Sequence, residues 1–75
     1  MANEDIRIKF GRRLCQLRAK HKYTQRALAL KAGISVAYVQ MLEATKPKKR
    51  KNVTIVTVEK LAKAFGMSPS EMLDF

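Results

Sequence analysis

The chain has 75 residues, 47% of them hydrophobic, and its 16 Lys and Arg against six Asp and Glu give a formal net charge of +10. This length fits one domain, residues 1–75, and the single cysteine, Cys15, excludes an intramolecular disulfide and a zinc-binding cysteine cluster. The sequence lacks a run of about 18 apolar residues that would span a membrane, and its polar, acid-containing start is not typical of an export signal, so a cytoplasmic location is expected.

The predicted elements are all helical, and the first lies in a strongly basic part of the chain. Ile6, Phe10, Leu14 and Leu17 recur at spacings of four, four and three, which predicts one apolar stripe of an amphipathic helix. Arg and Lys residues occupy its other faces. We expect this helix to end near the segment KHKY, at residues 20–23.

Two short helices follow, separated by a very short turn. Thr24 is a suitable N-cap for a helix that reaches about Ala32, and Gly33 is the residue best able to adopt the left-handed conformation that ends it. Ser35 can then cap a third helix that extends to about Ala44. The turn between them is little more than the tripeptide GIS.

The segment after the third helix is polar and rich in lysine. Residues 45–55 are expected to form a loop, and the stretch VTIVTV (53–58) is interpreted as extended loop because an isolated strand would have no partner. Thr57 is the predicted cap of a fourth helix that ends at Gly66. Its apolar stripe consists of Val58, Leu61, Ala62 and Phe65.

The segment SPSE predicts a short fifth helix. Ser68 is a capping residue, Pro69 suits the first helical position, and Glu71 can complete a capping box. Met72, Leu73 and Phe75 give the end of the chain an apolar character.

The short turn between the second and third helices predicts a helix-turn-helix. Helices joined so closely cross at a steep angle, and Ala29 and Ala32 supply small side chains at the crossing. Val39 and Leu42 of the third helix are expected to point inward. The side chains expected outward are Ala37, Gln40, Met41 and Ala44, with Val36 and Tyr38 on the flanks. A helix presented in this way is sized for the major groove of DNA, about 12 Å wide.

The segment TQRALALKAGISVAYVQMLE, residues 24–43, resembles the Xre/Cro-type helix-turn-helix family, whose pattern reads roughly T-Q-x-x-L-A-x-x-x-G-(I/V)-S-x-x-x-(I/V)-x-x-(I/L)-E. The matching residues are Thr24, Gln25, Leu28, Ala29, Gly33, Ile34, Ser35, Val39, Leu42 and Glu43. Residues 57–73 resemble the two closing helices of the family. The resemblance implies a compact, all-α, five-helix domain like that of phage repressors. In build the chain is most similar to restriction–modification controller proteins, which implies a bacterial or phage-encoded, nucleoid-associated protein.

The resemblance implies a set of DNA-contacting residues, namely Gln25, Arg26, Ser35, Val36, Ala37, Tyr38, Gln40, Met41 and Lys46. Gln25 would bind a phosphate and brace the recognition helix, and the hydroxyls of Ser35 and Tyr38 would reach the DNA backbone. The Tyr38 ring can instead pack on the domain, and Met41 can be a structural edge. Arg18 and Glu43 match a family pair that links the first helix to the end of the third.

Two features depart from the family pattern. Val36 and Ala37 are apolar, so they can contact a thymine methyl but cannot bond a base edge, which leaves Gln40 as the main amide reader. The loop after Glu43 is longer than usual by about four residues on our alignment. The phosphate contacts of Lys46 and its neighbours are therefore left open.

The distribution of charge predicts how the chain assembles. Residues 1–51 hold fourteen basic and three acidic side chains, whereas residues 52–75 hold two and three. The basic part suits double-stranded DNA, although basic residues can also serve solubility alone. Like charges would repel at a basic interface, so a homodimer is predicted through the near-neutral C-terminal part. The predicted contact residues are Met67, Met72, Leu73 and Phe75.

The expected function is that of a transcriptional regulator that binds a palindromic operator as a homodimer. An antitoxin-like protein-interaction module and a non-specific architectural DNA binder are the alternatives, since the apolar C-terminal surface suits either a second copy or a foreign partner. The sequence holds one histidine and one cysteine and lacks a Ser-His-Asp set or a glycine-rich phosphate loop. We therefore expect neither catalysis nor a cofactor, metal or small-molecule ligand.

Overall fold

The computed structural model describes residues 6–44 and 53–75. These residues form five helices, α1 (Ile6–His21), α2 (Gln25–Ala32), α3 (Val36–Glu43), α4 (Ile55–Ala64) and α5 (Pro69–Met72). The all-helical prediction is therefore confirmed for the described residues. None of the helices in this part of the chain is long and apolar enough to cross a membrane.

The caps of α2, α3 and α5 are those predicted from the sequence. Thr24 and Ser35 accept hydrogen bonds from the backbone amides of residues 27 and 38, and Ser68 forms a reciprocal capping box with Glu71. Gly33 has φ 71°, the left-handed conformation that ends α2, and Gly66 has φ 69° just beyond α4. Local hydrogen-bonding chemistry thus sets most of the helix ends.

The start of α4 corrects the sequence prediction. Thr54, not Thr57, is the N-cap, and its side chain accepts a hydrogen bond from the Thr57 amide. The helix therefore includes residues 55–58, which we had interpreted as extended loop. The β-branched Ile55 and Val56 lie in its first turn and are 87% and 59% exposed, while Thr57 is buried. Tertiary burial of Thr57 and Val58 outweighs the strand propensity of this stretch.

The core lies where the five helices meet. It is built from Phe10, Leu14, Leu17, Leu28, Ala29, Ala32, Val39, Leu42, Val58, Leu61, Ala62, Phe65 and Met72. The inward orientation predicted for Val39 and Leu42 is confirmed, as is the small contact surface at Ala29 and Ala32. Ile6 departs from the predicted stripe of α1, because it is 65% exposed.

The approach of α1 to α3 depends on Gly11. A Cβ atom at this position would overlap the Leu42 carbonyl oxygen and lie 3.3 Å from the Glu43 Cα atom. Both neighbours are backbone atoms, so a side chain at residue 11 could be accommodated only if the two helices moved apart. The absence of a side chain therefore positions α3 on α1.

We predict that Gly11→Ala lowers the free energy of unfolding by up to about 2 kcal/mol, because overpacking costs about 1–3 kcal/mol and alanine gains roughly 1 kcal/mol over glycine in a helix. Urea denaturation measures the change in the free energy of unfolding. Gln16→Ala, an exposed position on the same helix, is the control, and it should change that free energy by less than about 0.5 kcal/mol. A Gly11→Ala variant more stable than the unmodified protein would contradict the proposed contact.

Candidate nucleic-acid interface

The outer face of α3 is small and uncharged. Ala37 and Gln40 are exposed, and Met41 and Ala44 are half-buried. Val36 is also half-buried and packs against the core, so only part of its side chain is available to a ligand. The helix Val36–Glu43 contains no Lys or Arg, so its exposed surface could read bases but could not itself neutralise phosphate charge.

A buried ion pair clamps the C-terminal end of α3 to α1. Arg18 Nε and Nη2 donate to the two carboxylate oxygens of Glu43 over 2.7 and 2.9 Å. Arg18 Nη1 also donates to the carbonyl oxygen of Tyr23 over 3.0 Å. The Glu43 side chain is only 5% exposed and that of Arg18 21%. The structure thus confirms the predicted pair as a bidentate, largely buried contact.

Gln25 is the third member of this clamp. Its Nε2 donates to Glu43 Oε1 over 2.9 Å, which ties the first residue of α2 to the last residue of α3. The predicted bracing of the recognition helix is therefore present in the structure. The phosphate contact predicted for Gln25 remains a prediction.

The clamp sets the ionisation of Glu43. Burial alone raises the pKa of a carboxyl, but hydrogen bonds from Arg18, Gln25 and Cys15 outweigh it and hold the Glu43 pKa below its usual value. Burial raises the pKa of the Cys15 thiol, and the adjacent Glu43 carboxylate raises it further. The half-buried Cys15 thiol is therefore held in its protonated form.

Tyr38 connects α3, the predicted recognition helix, to α4. Its hydroxyl oxygen lies 3.3 Å from Thr57 Oγ1, and its ring packs against the core. Packing of the Tyr38 ring on the domain is therefore compatible with the predicted contact of its hydroxyl with the DNA backbone, because the two roles use different parts of the side chain. The contact of Thr57 with Tyr38 was not predicted, because the sequence suggested that Thr57 was a cap.

The other predicted DNA contacts lie at helix starts or outside the described residues. Arg26 is exposed in the first turn of α2. Ser35 is exposed, and its Oγ caps α3 by accepting from the Tyr38 amide over 3.0 Å, which does not use the hydroxyl proton. Lys46 and the rest of the lysine-rich loop lie within 45–52, beyond the described residues.

The predicted C-terminal interface needs a correction. Met72 is 0% exposed and belongs to the core, so it cannot contact a partner. Arg13 of α1 holds this end of the chain by donating to the carbonyl oxygens of Met72 and Glu71. Met67 is half-buried against the core, which leaves Leu73 and Phe75, each 47% exposed, as the accessible members of the predicted set.

An apolar groove lies beside these two side chains. It encloses about 270 Å³ between the start of α1 and the end of the chain, and it is lined by Ile6, Arg7, Phe10, Val53, Leu73 and Phe75. Ile6 and Val53 were not predicted as interface residues. The signal that could have indicated Ile6 is its position at the N-terminal end of the apolar stripe of α1.

The described residues offer few groups for chemistry other than binding. No set of three or more His, Cys, Asp or Glu side chains in residues 6–44 and 53–75 is placed to hold a metal ion. Among the polar groups brought together are the Arg18–Glu43–Gln25 clamp and the hydroxyls around Thr57. Both stabilise the position of α3.

The family model described as helix-turn-helix matches residues 16–72, which is most of the chain. The chain belongs to the helix-turn-helix family. The match covers α2 and α3 together with α4, α5 and the end of α1. The family assignment made from residues 24–43 is thereby confirmed, and with it the assignment to DNA-binding transcription regulators.

Similar helix-turn-helix proteins include restriction–modification controllers. The chain is 32% identical over 72 residues to the control protein C.BamHI of Bacillus amyloliquefaciens, covering 95% of this chain and 84% of the relative. The crystal structure of the controller protein C.AhdI from Aeromonas hydrophila superposes with a TM-score of 0.77 at 35% identity, covering 88% of this chain and 94% of that one. A hypothetical transcription factor from Neisseria, NHTF, gives a TM-score of 0.78 at 26% identity, covering 91% of this chain and 72% of that one.

Proposed function

We propose that this helix-turn-helix protein binds a palindromic operator as a homodimer and controls the expression of a restriction–modification system. The observation that carries the proposal is the exposed outer face of α3, held rigidly by the buried contacts of Glu43 with Arg18 and Gln25. The similarity to C.BamHI and C.AhdI supports the biological role, because both are controller proteins and both match nearly the full length of this chain.

The charges of the side chains indicate which residues of the proposed interface would contact bases and which would contact phosphates. The outer face of α3 supplies Ala37, Gln40 and Met41 for the bases, with Val36 at its edge. Phosphate binding falls to the positively charged residues outside α3, among them Arg26 and Lys46, to the Gln25 amide and to the hydroxyls of Ser35 and Tyr38. Phosphate contacts would position the protein, and the few base contacts would specify the sequence.

Selection of bound sequences from a random DNA pool tests the proposal. We expect enrichment of two inverted half-sites whose centres are about 34 Å apart, one turn of the double helix. Enrichment of a single asymmetric half-site, or of no sequence at all, would contradict it. The second outcome would support non-specific architectural binding.

We predict that Gln40→Ala relaxes the base preference at one position of each half-site, at a cost of about 1–3 kcal/mol per half-site. The reason is that Gln40 is the exposed amide of α3 and can pair with an adenine edge. Binding titrations on operator and on random DNA measure the effect. Lys46→Ala is the matched control, because loss of a phosphate contact should weaken both DNAs alike. Equal losses on the two DNAs for Gln40→Ala would contradict base reading by this side chain.

A protein-interaction module remains the second candidate, because the apolar groove beside Leu73 and Phe75 suits a foreign partner as well as a second copy. A solved complex of the SINR and SINI proteins matches this chain with a TM-score of 0.73 at 29% identity, covering 87% of this chain and 60% of that one. An adjacent gene for a restriction enzyme or methyltransferase would favour the controller. An adjacent gene for a small toxin would favour the alternative.

A further inference from the structure

Thr57 has an unusual position for a threonine. Although it carries a hydroxyl, only 8% of its surface is exposed. Its Oγ1 lies 3.0 Å from Thr54 Oγ1 and 3.3 Å from the Tyr38 hydroxyl oxygen. Three hydroxyls thus form a chain that runs from the first turn of α4 to the recognition helix.

Counting protons limits the directions in which these three hydroxyls can donate hydrogen bonds. Thr54 Oγ1 accepts from the Thr57 amide and gives its own proton to Thr57 Oγ1. A hydroxyl has one proton to donate, so Thr57 keeps its proton for another acceptor. The Tyr38 hydroxyl oxygen is within reach, and either of these two hydroxyls can be the donor.

The two arrangements differ in what Tyr38 can offer to DNA. If Thr57 donates to Tyr38, the tyrosine proton is free for a further acceptor. If Tyr38 donates to Thr57, its proton is used internally. The non-bridging oxygens of a DNA phosphate are hydrogen-bond acceptors, so a phosphate beside Tyr38 selects the first arrangement. Successive hydrogen bonds in one direction also polarise one another, which strengthens the last donor.

We infer that Thr57 is a positioning residue of the DNA interface, which accepts from Thr54 and donates to Tyr38 so that the Tyr38 hydroxyl donates to a phosphate oxygen. The inference rests on the proposed DNA-binding function, and it adds a residue that does not itself touch DNA. It also gives a role to Thr54, because this α4 cap donates to Thr57 and so sets the direction of the hydrogen bonds between the three hydroxyls.

A double-mutant cycle in DNA affinity tests the inference, with Thr57→Val and Tyr38→Phe as the single variants. Valine keeps the shape of threonine and phenylalanine that of tyrosine, while both lose the hydroxyl. We expect Tyr38→Phe to weaken operator binding about 100-fold, because about tenfold, the value of one hydrogen bond to a charged group, is lost at each of the two half-sites. Thr57→Val should weaken binding severalfold, and the double variant should bind like Tyr38→Phe alone. Because the contact is to phosphate, the affinities for operator and for random DNA should fall by similar factors.

Two further measurements separate positioning from simple structural support. Thr57→Ser restores the hydroxyl and should regain the affinity of the unmodified protein, while the melting temperature of each variant reports any loss of stability. A structural role for Thr57 would instead give losses that follow the melting temperature and persist in the Tyr38→Phe background. Additive losses in the double variant, or unchanged binding by Thr57→Val, would overturn the inference while leaving the proposed function intact. Failure of the unmodified protein to bind any DNA would overturn both.

Discussion

Replacing Arg18 by methionine is expected to lower the free energy of unfolding by about 3 kcal/mol or more, equivalent to a fall in Tm of more than about 10 °C. Methionine keeps much of the length of arginine but none of its charge. Glu43, whose side chain is 5% exposed, would lose the bidentate partner that compensates its burial and would remain as an uncompensated carboxylate. Thermal denaturation followed by circular dichroism measures the change.

The contribution of Glu43 to stability should depend on pH with opposite signs in the unmodified protein and in Arg18→Met. In the unmodified protein the Glu43 pKa is held below its usual value, so the clamp contributes stability above the pKa of the unfolded chain and loses it as the pH falls through the folded pKa. In Arg18→Met, burial would dominate and raise the Glu43 pKa. That variant should therefore recover stability as the pH is lowered and the carboxyl takes up a proton.

The matched control is the double variant Arg18→Met with Glu43→Gln. It removes both charges together and should be more stable near neutral pH than Arg18→Met alone, because the isolated buried charge is the main cost. An unchanged melting temperature for Arg18→Met would show that the pair contributes little. The clamp would then not explain the rigid placement of α3.

Replacing Leu73 and Phe75 together by glutamate is expected to give monomers that keep most of their helicity and bind the operator more than about 100-fold more weakly. One recognition helix covers about half a turn of the groove, so the selectivity of a small domain depends on coupling two copies. Both side chains are 47% exposed and line the apolar groove, so glutamate at these positions would place charge in the proposed interface without disturbing the core.

Sedimentation measures the oligomeric state, and titration with operator DNA measures the affinity. Leu30→Glu is the matched control for sedimentation, since Leu30 is an 83% exposed leucine on α2, outside the groove. It should leave the dimer intact. A monomeric unmodified protein at micromolar concentration, with and without DNA, would contradict the dimer. A dimer that survives the double replacement would place the interface elsewhere.

The helix ends show how far local sequence determines this fold. Thr24, Ser35 and Ser68 cap helices as predicted, because a capping side chain bonds an amide only three residues away. Thr54 and Thr57 show the limit of this reasoning. Both are threonines ahead of an apolar stripe, and burial of Thr57 beside Tyr38 is what leaves Thr54 as the cap.

The features of the candidate site also fall into those that the sequence could predict and those that it could not. The spacing of residues 24–43 predicted the helix-turn-helix and its inward residues Val39 and Leu42, and the family resemblance implied the pairing of Arg18 with Glu43. These features depend on residue types at fixed separations, which a sequence displays directly. The hydroxyl chain through Thr57 could not be predicted, because it joins α3 to α4 across the lysine-rich segment between them.

The all-helical fold could be predicted from local signals, because periodicity, capping and turn length act over a few residues, and the family followed from the resemblance of residues 24–43. Which apolar side chains are covered depends on tertiary packing. Met72 and Leu73 are adjacent, yet one is fully buried and the other 47% exposed, and Ile6 begins a stripe whose other members are buried. A stripe shows that a helix has an apolar face, but the packing of neighbouring helices decides how much of that face is left for a partner.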